Sequence, residues 1–189
     1  MAKKLAPVMA LLALALLFQL SACDKSDSGT NNTVITLADM MPRENEISGW
    51  TKIGGGDGQW KATSASELQD QINGGSEIYT NQGFVEAGMQ AYSGTVNTQS
   101  GVTCEIQIYD QGSEENAAHV FDDPNNVFAN ALAPANPPSA KAQIRKDVFS
   151  WTMKFTKARY YILISIMSSE DKGQDVLEVF ANNVAGKIR

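Results

Sequence analysis

The residue types that most often carry catalysis are scarce in this chain. His119 is the only histidine among its 189 residues. A serine hydrolase would need it as the base, yet the sequence has no Gly-x-Ser-x-Gly nucleophile elbow. A zinc site would need His119, Cys104 and carboxylates from distant positions to meet. The sequence therefore predicts no catalytic residues, no metal site and no cofactor.

Two pairs of adjacent carboxylates are the next candidates. Glu114-Glu115 follow Gly112-Ser113 and are placed in the first turn of a helix, where negative charge is favourable. Asp122-Asp123 precede Pro124, which marks the end of that helix. The run 122–126 is rich in oxygen ligands, but it lacks the spacing and the glycine of an EF-hand calcium loop. We interpret both pairs as structural.

Asn73, Glu77 and Tyr79 form the most distinctive polar group, a candidate binding patch. If residues 77–84 form a strand, Glu77 and Tyr79 share one face of it, and Asn73 lies at the end of the preceding helix. The alternative, which Gly74-Gly75 favours, is that Asn73 takes a left-handed conformation and that Glu77 caps nearby backbone N–H groups.

Aromatic side chains give a second candidate. They could line a pocket for an apolar or sugar ligand, although in a domain of this size they more often fill the core. The set is Trp50, Trp60, Trp151, Tyr160 and Tyr161.

Cys104 is the second of two cysteines. It alternates with Val102, Ile106 and Ile108 along a predicted strand, so it shares an apolar face with them. We predict a buried thiol rather than a reactive or intermolecular one.

The first 23 residues have the parts of a secretory signal. Lys3 and Lys4 form a basic head, and an uncharged, largely apolar run over residues 5–18 follows. That run is shorter than the roughly 20 apolar residues of a membrane-spanning helix. Leu20-Ser21-Ala22-Cys23 resembles the bacterial lipobox. The resemblance implies that residues 1–22 are removed and that Cys23 is lipidated; an ordinary signal peptide and an uncleaved anchor are the alternatives.

Lipidation of Cys23 would fix the location of the chain. Two or more acyl chains, palmitate-like in length, hold a protein firmly on a membrane. The expected location is the cell envelope, with the chain facing the periplasm or the exterior. Asp24 resembles the inner-membrane retention signal of enteric bacteria, which leaves the choice of membrane open elsewhere. Residues 24–33 contain no apolar side chain, so we predict that residues 23–33 form a lipidated flexible tether.

The charge balance disfavours nucleic acid as a partner. The net charge is −6 at pH 7, and the predicted signal contains two of the basic residues, so the mature chain is more acidic still. A basic surface for phosphates is therefore not expected.

Residues 34–189 are predicted to form a single α+β domain with a mainly antiparallel sheet and packed helices. Helices are predicted from a capping box at Ser64–Glu67 to Gly74, from Ser113 to Pro124, and over residues 171–188. The last helix has an apolar stripe at Leu177, Phe180, Val184 and Ile188. Strands are predicted at 77–84, 85–92, 102–109, 142–147, 149–156 and 160–167, with a surface loop at 125–142. The order is therefore helix, three strands, helix, three strands, helix.

One stretch carries a family resemblance. Residues 68–79 read LQDQINGGSEIY and are followed by Gly83-Phe84. This resembles a family of uncharacterised exported bacterial proteins that carry Ile-Asn-Gly-small-x-Glu-hydrophobic-Tyr. The family's next recognisable piece is a strand ending in a Tyr-Asp-like pair before a small helix with alanines, here Tyr109-Asp110 and Ala117-Ala118. Over roughly residues 47–167, the resemblance implies a shared fold and an envelope location, but no activity.

We therefore expect a membrane-anchored envelope lipoprotein that acts as a non-enzymatic binding or interaction module, with an unidentified small molecule or an envelope protein as its partner. The alternatives are a carboxylate-dependent envelope hydrolase and a structural envelope component. A deep cleft with two carboxyl groups of raised pKa would indicate the hydrolase.

Overall fold

A computed structural model describes residues 35–72 and 74–189. The described helices are α1 (Leu37–Met40), α2 (Ala65–Ile72), α3 (Glu77–Thr80), α4 (Glu114–Asp122) and α5 (Gly173–Lys187). The described strands are β1 (Thr51–Lys52), β2 (Gln59–Ala62), β3 (Glu86–Val96), β4 (Gln99–Asp110), β5 (Ala142–Lys146), β6 (Trp151–Lys157) and β7 (Tyr160–Ile166). A 3₁₀ turn over Pro124–Asn126 follows α4.

The strands form one antiparallel sheet in the order β1–β3–β4–β7–β6–β5, and β2 also pairs with β3. The hairpin of β3 and β4 carries the longest ladder, and β7 lies between β4 and β6. Short links join β3 to β4, β5 to β6 and β6 to β7, as antiparallel neighbours allow. The predicted α+β class and antiparallel sheet are confirmed.

The sheet separates two hydrophobic clusters. Ile106 and Ile108 of β4 lie in the cluster that includes α5, whereas Tyr109 lies in the cluster that includes α2 and α4. This division follows from the alternation of side chains along a strand. Cys104 is fully buried with Ile106 and Ile108, as predicted.

The last helix packs against the first cluster through its predicted stripe, and all four stripe residues are buried. The ring of Phe180 meets the Trp50 ring edge-on at 5.1 Å between centroids. The helix begins against Trp151. A Cβ at Gly173 would lie 2.3 Å from the Trp151 ring, so the close approach requires glycine.

Two helix starts follow the predicted capping signals. The Ser113 hydroxyl accepts from the Asn116 N–H at the start of α4. The Ser64 hydroxyl accepts from the Glu67 N–H, but the Glu67 carboxylate accepts from the Thr63 N–H at 2.6 Å, one residue earlier than the predicted box.

The predicted strand over residues 77–84 is wrong. The chain instead makes the single helical turn α3, with the Thr80 N–H donating to the Ser76 carbonyl at 2.9 Å. Gly74 and Gly75 have φ values of +101° and +72°, which fold the chain back after α2. The first strand of the hairpin therefore begins only at Glu86.

Candidate functional site

A cleft lies where the segment from β2 to α3 crosses the sheet. We call it the Trp60 cleft. Its volume is about 330 Å³, at the lower end of the range for ligand pockets. Its lining residues are Trp60, Gln71, Ile72, Gly74, Gly75, Ile78, Tyr79, Gln107 and Tyr109.

A second depression, of about 450 Å³, adjoins the Trp60 cleft. That second depression lies beside α1 and is lined in part by Lys52, Gln59 and Lys61. Trp60 lines both.

Stacked tyrosines form the floor of the Trp60 cleft. The rings of Tyr79 and Tyr109 are parallel within 4°, and their centroids are 3.9 Å apart. The centroid of the Tyr161 ring lies 5.8 Å from that of Tyr79. Burial raises the pKa of the Tyr79 and Tyr109 hydroxyls, so the two tyrosines that line the cleft are uncharged at physiological pH.

Gln107 supplies the amide group of the cleft. It lies on β4 between Ile106 and Ile108 and therefore faces away from the α5 cluster. The Tyr109 hydroxyl donates to Gln107 Oε1 at 2.5 Å, which fixes the orientation of the amide. Among the described residues, the amide bonds through Oε1 alone, and its Nε2 group lines the cleft as a donor.

Trp60 is held at the side of the cleft by the pairing of β2 with β3. Trp60 is opposite Met89, and Met89 is opposite Gln107, so all three share one face of the sheet. Trp60 is half-buried. The other aromatic candidates, Trp50, Trp151, Tyr160 and Tyr161, are buried, as the core interpretation predicted.

The predicted polar patch is only partly assembled. Asn73 lies outside the described residues. Tyr79 is buried in the Trp60 cleft, whereas Glu77 is exposed and lines a neighbouring depression with Asn81 and Asp123. Glu77 and Tyr79 were expected on one strand face, but they lie on a helical turn, where residues two apart do not face the same way.

The other candidates for chemistry are dispersed. His119 is exposed on α4, Asp122 pairs with Lys141, and Asp123 accepts from the Asn125 N–H. Cys104 is buried on the opposite side of the sheet from Gln107. The part of the chain that the structure describes contains no group of three potential metal ligands.

Asp110 is a buried carboxyl group whose pKa is raised by burial. Its oxygens already accept from the Gly112 N–H at 2.9 Å and from Arg159 Nη2 at 2.7 Å. Because both oxygens are engaged, Asp110 is placed to fix the end of β4 rather than to transfer a proton.

Lys154 is a buried cation that the sequence reasoning missed. Its Nζ donates to the carbonyls of Phe121 at 2.8 Å and Asn126 at 2.5 Å. The ring of Phe121 lies 4.4 Å from the same nitrogen. These contacts tie β6 to the end of α4. Lys154 lies between the apolar residues Met153 and Phe155 on β6. This alternation could have predicted that the Lys154 side chain faces the second cluster.

Among residues 35–72 and 74–189, no helix is long and apolar enough to cross a membrane. Comparisons with family models, curated proteins and solved structures found no match to this chain.

Proposed function

We propose that this chain is a lipoprotein of a bacterial envelope, anchored to the membrane through Cys23, whose folded domain is a non-enzymatic binding module. The anchor rests on the lipobox-like residues 20–23 after an apolar run. Cys23 lies outside the described residues.

The binding role rests on one observation, the neutral polar lining of the Trp60 cleft. The lining residues supply an indole, amides and tyrosine hydroxyls, and they include no carboxyl, imidazole or thiol group. Such a cleft can hold and orient a ligand, but these groups offer no acid–base pair near neutral pH.

The hydrolase alternative requires two carboxyl groups of raised pKa in one cleft. Asp110 is the described carboxyl group whose pKa burial raises, and Arg159 and Gly112 occupy its oxygens. The observations therefore favour binding over hydrolysis.

The anchor is tested by growing cells with radiolabelled fatty acid. The wild-type chain should take up label, and Cys23→Ala should remain an unlabelled precursor. Cys104→Ala is the matched control and should be labelled like the wild type, because Cys104 lies in the folded domain. Label in Cys23→Ala would refute the lipoprotein assignment.

The binding role is tested by purifying the protein from its native membrane and identifying the small molecules that heat denaturation releases. A compound should be released from the wild type and from Gln59→Ala, but not from Trp60→Ala. Identical release from all three proteins would exclude the cleft as a site and favour the structural alternative.

A further inference from the structure

We infer that the Trp60 cleft binds an uncharged sugar ring, stacked on Trp60 and hydrogen-bonded to the Gln107 amide. This inference rests on the proposed function, because it names the ligand class of the same site.

The charge of the cleft selects a neutral ligand. None of its lining residues carries a carboxylate or a basic group. A charged ligand would lose its hydration without gaining a partner charge. The neighbouring depressions differ, since one is lined by Lys52 and Lys61 and the other by Glu77 and Asp123.

The polar groups of the cleft favour a ligand that bears hydroxyl or amide groups. Gln107 Nε2 has donors to offer, and an apolar ligand would leave them buried and unpaired, which costs about 1–3 kcal/mol. The half-buried indole of Trp60 offers an apolar surface in the same cleft. A pyranose presents the matching combination, a C–H face together with a rim of hydroxyl groups.

The spacing and the volume suit a small saccharide. Trp60 and Gln107 are two strands apart in register, which corresponds to about 10 Å across the sheet. One or two sugar rings span that distance. The volume of 330 Å³ is consistent with such a ligand.

The test is calorimetric titration of the full lipid-anchored protein, in a detergent without a sugar headgroup, with diacetylchitobiose, cellobiose and maltose. At least one should bind at millimolar concentration or below. Trp60→Ala and Gln107→Glu should each weaken binding about tenfold or more. Gln107→Glu keeps an oxygen for the Tyr109 hydroxyl but removes the two N–H donors.

Gln59→Glu is the matched control, because it adds the same charge on β2 but lines only the other depression. It should bind like the wild type. If Trp60→Ala does not fold, acrylamide quenching of tryptophan fluorescence in the wild-type protein takes its place. The bound sugar should protect Trp60 from quenching, and Trp60 should dominate the change because Trp50 and Trp151 are buried.

Absence of binding by all three saccharides, or binding that Gln107→Glu leaves unchanged, would overturn the inference. A non-saccharide compound released from the wild type but not from Trp60→Ala would overturn the sugar assignment and leave the proposed binding role intact. The two failures are therefore distinguishable.

Discussion

Lys154 brings a charge into the interior of the domain without a salt bridge among the described residues. Its side chain is only 1% exposed. Burial lowers its pKa, and the compensation comes from two carbonyl acceptors and the neighbouring aromatic rings. One acceptor, Phe121, lies in the last turn of α4, where the helix dipole favours a cation.

Replacing Lys154 by methionine should destabilise the domain by about 1–3 kcal/mol, because two carbonyls lose their donor. Relief of the buried charge offsets part of this loss. Urea denaturation at neutral pH measures the effect. Lys157→Met, on the same strand but half-buried, is the control and should change stability less. An unchanged midpoint for Lys154→Met would show that the buried contacts contribute nothing.

Cys104 should resist thiol reagents in the folded protein and react only after denaturation. It is fully buried, and burial raises the pKa of its thiol, so the reactive thiolate is disfavoured. Mass spectrometry after timed labelling measures this. Fast labelling under native conditions would contradict the buried position.

Residues whose role depends on their neighbours in sequence could be predicted, and those that depend on distant partners could not. The alternation around Cys104 was sufficient to predict its burial. The acceptors of Lys154 lie 33 and 28 residues earlier in the chain, and no local pattern indicates them. Gln107 was likewise missed, because its importance depends on the approach of Trp60 from another strand.

At the scale of elements, the same distinction explains why α4 and α5 were predicted and α3 was not. The start of α4 depends on Ser113, three residues from its partner. The conformation of residues 77–80 depends on Tyr79, whose ring stacks on the ring of Tyr109. Tyr109 lies on β4, which is distant in the sequence. Two left-handed glycines allow that turn, but they do not by themselves distinguish a helix from a strand.

Glu178 of α5 fixes part of the predicted surface loop. Its carboxylate accepts from the Ala135 N–H at 2.8 Å and from the Asn136 N–H at 3.0 Å. Burial alone would raise the pKa of this carboxyl, but hydrogen bonds from Gln174, Asn136 and Ala135 outweigh burial and lower it.

Glu178→Gln should therefore destabilise the domain by about 1–3 kcal/mol at pH 7. A lowered pKa in the folded state gives stability that is present above the unfolded pKa of about 4.3 and is lost as the pH falls below it. The difference from the wild type, measured by denaturation from pH 7 to pH 3, should shrink on acidification. Asp57→Asn, in an exposed turn outside any helix, is the control and should not show this pattern. A difference independent of pH would contradict the role of the charge.

At the scale of the whole molecule, the two faces of the sheet differ in how fully helices cover them. One face is covered by α5, and the hydrophobic cluster there extends from α1 to the C-terminal helix. The other face is covered by α2, α3 and α4, and it leaves the Trp60 cleft open between them. Both faces contribute buried side chains to stability, and the second face also presents the candidate site.

Replacing Phe180 tests how much the packing of α5 contributes to the stability of the domain. Its side chain is fully buried and contacts Trp50 and Tyr92 at 5.1 and 5.4 Å between ring centroids. Phe180→Ala should cost about 3–5 kcal/mol, the range for removing a buried phenylalanine. That is a large share of a typical stability of about 5–15 kcal/mol. Val179→Ala, at the next position and 52% exposed, is the control and should change stability little. If Phe180→Ala unfolds at the wild-type urea concentration, α5 does not hold the sheet, and the helix would be free to engage a partner instead.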